Sequence, residues 1–281
     1  MARRSVIKRV LPTALTYLGL AIGLAYSGFP ILWMAFASLK SNTEIFALPP
    51  RLLPERFTLE AYFSIFDDPT KVRFFINSYL VGGVVTILTV IIATLAAYGF
   101  SRYSFRFKAT LNVFVISTQT VPPITLLIPY FGMVVAFGIF DTYYALILTY
   151  MVFTLPYAIL LMTGFLNTLP KELDEAVLVD GGSSWTALWR VLVPISVPGI
   201  VATSVYTFLL AWNEFLFALT LTKSMDKRTV PIGIQLLMGQ HAYEWNQMMA
   251  MSVLGSLPLL LLFLIAQRYF LAGMTAGSVK G

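Results

Sequence analysis

Six windows of mostly apolar residues, each long enough to cross a bilayer, restrict the fold of this chain more than any other feature. They cover residues 12–39, 76–100, 111–137, 143–166, 193–221 and 248–270. About 20 such residues span a hydrocarbon core of ~30 Å at the ~1.5 Å rise of a helix. A helix satisfies its backbone hydrogen bonds within one segment, whereas an open strand in lipid leaves its edges unpaired. A closed barrel would need short alternating segments, and VVTILTVIIATLAA at 84–97 does not alternate. With 58% hydrophobic and 11% charged residues, against roughly 25% charged in a soluble domain, the chain reads as an all-α membrane protein. The predicted fold is one domain over 1–281 with six transmembrane helices.

Arg3, Arg4, Lys8 and Arg9 precede the first window, as in a secretion signal. Its apolar stretch is too long and lacks a small-residue cleavage site, so it is expected to remain as an anchor behind a cytoplasmic tail at 1–11. The absence of cysteine excludes disulfides, thiolate catalysis and Cys-ligated zinc. Basic residues set orientation. The N-terminal tail and SRYSFRFKA at 101–109 carry bases and no acid, whereas the loop after the first window balances its bases with Glu44, Glu55, Glu60, Asp67 and Asp68. Both termini are therefore expected in the cytoplasm of a multi-pass protein, with 170–192 on that side and 222–247 outside.

The segment KELDEAVLVDGGSSWTALWRVLVPISVPG, at 171–199, is out of place between apolar windows. Pro170 suits a first turn, and Glu172 and Asp174 complement a helix N-terminus. Leu173, Ala176 and Val177 share a face, and Gly181 with Gly182 ends the helix. Ser183 or Ser184 caps a second helix in which Trp185, Leu188, Trp189 and Leu192 recur at helical spacing. Two amphipathic helices on an anionic inner leaflet would favour a basic polar face. This helix is acidic, which points to docking on a protein partner.

The run Glu175-Ala176-Val177, Asp180-Gly181-Gly182, then Val191-Leu192-Val193-Pro194 resembles the EAA loop of bacterial ABC importer permeases, written E-A-A-x-x-D-G-A and closing on I-x-L-P. Val177 and Gly182 depart from that pattern, each standing where the pattern has Ala. FTLEAY at 57–62, Asn77-Ser78, PPITLLIPYF at 122–131, GIFDT at 138–142, AWNEFLFAL at 211–219 and LAGMTAGSVKG at 271–281 look like the second permease of maltose-type carbohydrate importers.

The resemblance implies a helix-turn-helix coupling loop at 170–192, between spans four and five, with Glu172, Glu175, Ala176, Asp180, Gly181, Trp185, Arg190 and Pro194 meeting an ATPase. It implies a homologous second permease, two ABC nucleotide-binding subunits that carry ATP and Mg, and an extracytoplasmic solute-binding protein, all in a bacterial inner membrane. No cofactor or metal is expected on this chain, which has no G-x-x-x-x-G-K-[ST] phosphate loop. Nucleic acid is not among the expected partners.

Two rivals are weighed. An ion-coupled transporter or channel would place relay groups inside its spans, and of thirteen acidic residues only Glu214 falls in a window, near its outer end. An intramembrane enzyme would need convergent groups, and the single histidine, His241, lies in an outer loop. Tyr130, Asn213 and Glu214 offer an aromatic face, an amide and a carboxylate to a hydroxylated solute along the path, while Trp212 fits an interfacial aromatic belt. The loop LLMGQHAYEWNQ at 236–247 is similar to a scoop that enters the binding protein, through Gln240, His241, Tyr243 and Glu244. The expected activity is non-catalytic: a permease for a carbohydrate or related polyol, glycerol phosphate included as an alternative.

Overall fold

The computed structural model describes residues 2–239 and 243–278. In chain order its helices are α1 (Ala2–Ala37), α2 (Asn42–Ile45), α3 (Glu60–Phe66), α4 (Pro69–Arg102), α5 (Lys108–Thr118), α6 (Leu127–Ala136) and α7 (Tyr143–Asn167). There follow α8 (Glu172–Val179), α9 (Ser184–Thr186), α10 (Val193–Ile195), α11 (Val197–Trp212), α12 (Leu216–Leu221), α13 (Val230–Leu236) and α14 (Trp245–Ser278). No strand forms among the described residues, where Met238 and Tyr243 make one antiparallel bridge. Four helices are individually long and apolar enough to cross a membrane: α4, α7, Leu15–Ala37 within α1 and Trp245–Tyr269 within α14. Two bent pairs raise the number of spans to six if each pair counts as one.

Those pairs correct the predicted spans. The third window is not one helix, because Lys108–Thr118 and Pro123–Ala136 meet at 94°. Pro122 and Pro123 lack the N–H that a continuing helix needs, and Pro122 adopts an extended backbone, φ −60° and ψ 128°. In the fifth window, Ser184–Ile195 lies at 77° to α11, and the helix breaks again after Trp212. Trp212 is 4% exposed, and its Nε1 donates to the Gly255 carbonyl at 3.0 Å, so it is a core residue and not part of an aromatic belt.

The chain divides into two compact units. In the first, residues 1–68 and 234–254, Ser41 caps α2 by accepting from Glu44 N at 3.3 Å. Ser38 shares a hydrogen bond with the Tyr62 hydroxyl at 2.7 Å. Asn42 holds the start of α14: its Nδ2 donates to the Tyr243 carbonyl at 2.8 Å and its Oδ1 accepts from Trp245 N at 3.0 Å.

The second unit, 69–233 and 255–281, is built on α4, α7 and α11, which pack against one another. Helices in lipid gain from close van der Waals contact more than from expelling water, so small residues belong at their crossings. Ala93, Ala97 and Ala158 are fully buried between α4 and α7, around Met162 and Leu166. Gly199 in α11 lies so close to Phe165 that a Cβ there would stand 2.5 Å from the ring.

Loops at one end of this unit are tied by side chains. Asn77 donates to the carbonyls of Asp226 (2.9 Å) and Arg228 (2.7 Å) and accepts from the Tyr143 hydroxyl at 2.8 Å. Asp141, at φ +60°, accepts from the Ser224 hydroxyl and from the N–H groups of Lys223 (2.8 Å) and Ser224 (3.0 Å). Its partial burial raises the carboxyl pKa. Hydrogen bonds from Ser224 and Lys223, helped by the Lys227 charge, outweigh that and hold it below the ordinary value.

Candidate functional site

The segment between α7 and α11 forms the expected helix, turn and helix. α8 ends where Gly181 enters the left-handed region, φ +79°, with its N–H on the Leu178 carbonyl at 3.1 Å. Gly182 donates to the Val177 carbonyl at 2.8 Å, and a Cβ on it would sit 2.6 Å from Val177 Cγ1. The departures at 177 and 182 thus meet in space, since the Val177 side chain lies where a Cβ at 182 would reach. Of the two serines, Ser183 is the cap and accepts from Thr186 N at 3.2 Å. The second helix is not regular α: Ala187–Leu192 winds as a π-helix between α9 and α10. It buries Ala187, Leu188 and Leu192 and leaves Trp185 exposed, edge-on to Trp189 at 5.5 Å.

The buried residue of α8 is not one of its apolar ones. Leu173 and Val177 are half-buried and Ala176 is exposed, whereas Asp174 is 9% exposed. Arg102 holds it: Nε donates to Asp174 Oδ2 at 2.7 Å, Nη1 to the Leu166 carbonyl at 3.1 Å and Nη2 to the Pro170 carbonyl at 3.4 Å. The guanidinium fork therefore fixes the end of α4 to the end of α7 and to α8 at once. Sequence reading used Arg102 only to orient the chain. A cation at the end of an apolar run, beside an acidic segment, is the signal that would have found it.

With Asp174 turned inward, Glu172, Glu175, Ala176, Asp180, Gly181, Trp185, Arg190 and Pro194 are all exposed. The segment thus presents carboxylates and an aromatic edge away from its own core.

The proposed path residues do not all converge. Tyr130 packs on Phe153 and Phe217, ring centroids 5.8 and 5.9 Å away. Glu214 joins that group because it caps α12: its carboxylate accepts from Phe217 N at 2.8 Å and Ala218 N at 3.0 Å. Asn213 does not join it, since its amide donates to the Leu209 carbonyl at 2.8 Å in its own helix. Of the loop residues, Tyr243 is exposed and stacks on Trp245 at 5.9 Å, and Glu244 is half-buried. Gln240 and His241 lie outside the described residues.

This fold, with broken spans and a protruding helical turn, is that of an ABC importer permease. A solved chain of a bacterial ABC transporter that imports the acidic polysaccharide alginate superposes with TM-score 0.79 at 18% identity, covering 93% of this chain and 97% of that one. The chain belongs to the family of binding-protein-dependent transport system inner membrane components, whose model matches residues 74–275. It is 35% identical to the sulfoquinovosyl glycerol transport system permease protein SmoH of Agrobacterium fabrum, over 95% of this chain and 94% of that one. It is also 35% identical to the trehalose/maltose transport system permease protein MalG of Thermococcus litoralis, over 99% of each. Membership makes the chain the membrane permease component of an ABC importer, a class in which ATP hydrolysis lies on separate subunits, and sets aside the ion-coupled alternative.

Proposed function

We propose that this permease carries a carbohydrate or related polyol, in a complex with a homologous second permease, two nucleotide-binding subunits and an extracytoplasmic solute-binding protein. The observation that carries the solute class is full-length similarity to permeases named for sulfoquinovosyl glycerol and for trehalose and maltose. In this reading both termini are cytoplasmic, ATP and Mg sit on the partner subunits, and the exposed face of 172–194 enters a cleft of the ATPase. Closure of the two ATPases moves α8, and Arg102 passes the movement to α4 and α7, opening the spans outward. Tyr243 and Glu244, with Gln240 and His241, meet the binding protein.

The test is purification of the tagged chain in mild detergent, identification of copurifying chains by mass, and identification of the solute held by the copurifying binding protein. A second permease, an ATPase and a sugar on the binding protein support the proposal. A non-hydroxylated solute, or a chain that transports alone without ATP, overturns it.

A further inference from the structure

Between α4 and α5, Phe105, Arg106, Phe107 and Lys108 form one tight turn, closed by the Lys108 N–H on the Phe105 carbonyl at 3.1 Å. Aromatic and basic residues alternate in it. Phe105 and Phe107 are 42% and 62% exposed, and Tyr103 just ahead of them is exposed as well. Phe105 leans on Phe100 of α4, ring centroids 6.0 Å apart. The Arg106 guanidinium lies over the Phe107 ring, 5.7 Å from its centroid, and Lys108 Nζ donates to the Tyr103 carbonyl at 3.1 Å. Neither base closes an ion pair with a described residue, and 101–120 contains no acid. Arg102, the neighbouring cation, is already neutralised by Asp174, so two positive charges stand uncompensated at this turn.

Exposed rings are unfavourable in water and favourable at a bilayer boundary, where the ring meets acyl chains and its polar neighbours meet headgroups. α5 carries the same surface onward, because Leu111, Val113, Phe114 and Ile116 are exposed and the helix buries no residue. The complement of two unpaired bases at headgroup level is an anionic phosphate. The ATPase is the poorer occupant, since a partner that accepts the acidic face of α8 repels a basic turn.

We propose that Phe105–Lys108 binds an anionic phospholipid, its phosphate held by Arg106 and Lys108, and that this lipid sets how well the segment 172–194 is coupled to the spans. The coupling follows from what the same stretch touches. Tyr103 meets Tyr98 edge-on at 5.7 Å, and the Tyr98 hydroxyl donates to the Ser184 carbonyl at 3.3 Å, at the start of α9. One residue before Tyr103, Arg102 holds Asp174 of α8. A headgroup that fixes the turn therefore steadies the contacts to both helices of the docking segment. The inference rests on the proposed docking of 172–194 on the ATPase and adds to it a lipid that regulates that contact.

The assembled complex in nanodiscs of phosphatidylcholine, with or without phosphatidylglycerol, provides the test. Lipid carried by this subunit on release from discs holding both is identified by native mass spectrometry. The unsubstituted subunit retains phosphatidylglycerol in preference to phosphatidylcholine, and Arg106→Gln with Lys108→Gln lowers that preference about ten- to thirtyfold. The swap Arg106→Lys with Lys108→Arg, which keeps both charges, keeps the preference. Stimulated ATP hydrolysis falls by about fivefold or more when phosphatidylglycerol is left out, and the glutamine double variant hydrolyses at the same low rate in both discs. An undiminished preference in the glutamine variant, its loss in the charge-keeping swap, displacement of the lipid by inorganic phosphate, or hydrolysis indifferent to phosphatidylglycerol each overturns the inference. Glu175→Lys is measured alongside. If it abolishes stimulation while phosphatidylglycerol has no effect, the lipid inference falls and the docking reading stands; if it leaves stimulation intact, the docking reading falls even where the turn keeps its lipid.

Discussion

Arg102 at the end of α4 and Asp174 in α8 form an ion pair 2.7 Å long, with side chains only 6% and 13% exposed. The pair joins a membrane-spanning helix to the segment that faces the ATPase in the proposed complex.

Arg102→Ala leaves a buried carboxylate without its cation, a change that costs about 3–5 kcal/mol. The expected outcome is a lower unfolding midpoint in detergent and weak solute-stimulated ATP hydrolysis. Replacing both partners, Arg102→Met with Asp174→Leu, removes the unpaired charge and restores the midpoint, since apolar replacements of buried pairs are often neutral. If the double variant also regains full stimulation, the pair serves packing and not transmission.

Glu175 is exposed and is not tied to the fold as Asp174 is. Glu175→Lys is therefore expected to leave membrane insertion and the unfolding midpoint unchanged while reducing ATPase copurification and stimulated hydrolysis at least tenfold. Normal stimulation in this variant would remove the docking assignment.

Gly182→Ala drives a methyl group into Val177 Cγ1, at 2.6 Å, and against the Val177 carbonyl, at 2.9 Å. Overpacking of this kind costs typically about 1–3 kcal/mol. Adding Val177→Ala relieves the first contact and not the second, so the double variant recovers part of the loss. Equal midpoints for the single and double variants would show that the two positions are not coupled.

Asp141 gives the loops around 222–228 a dependence on pH. Its carboxyl pKa is lowered in the folded state, so its contribution is complete above the unfolded value of ~3.9 and is lost as pH falls from there through the folded pKa. Hydrogen exchange of Lys223 and Ser224 should accelerate in that window, and Asp141→Asn should abolish the change. The same acceleration in Asp141→Asn would assign it to another group.

How much of this was legible in the sequence follows from the range of each interaction. α4 and α7 were readable because long apolar composition leaves a helix no alternative in lipid, and Gly181 because its left-handed backbone favours one residue type. The third and fifth windows read as single spans because a hydropathy window averages across a turn whose flanks stay apolar, although Pro122 and Pro123 marked the first bend, and the Asn213-Glu214 polar step the end of α11. Trp212 was misplaced because an indole suits an interface and a core equally until its N–H finds the Gly255 carbonyl. Arg102 and Asp174 stand more than sixty positions apart, beyond any local pattern. The π-helical winding of Ala187–Leu192 carries no composition of its own.

α4 is a single uninterrupted helix that carries Asn77 near one end and Arg102 at the other. The 25 intervening steps, at ~1.5 Å each, make a lever arm of about 37 Å. A tilt of about 5° pivoting at Arg102 sweeps Asn77 through roughly 3 Å, the length of one hydrogen bond. Because Asn77 grips the backbone at Asp226 and Arg228 directly, that sweep reaches the far loop without gearing or slack.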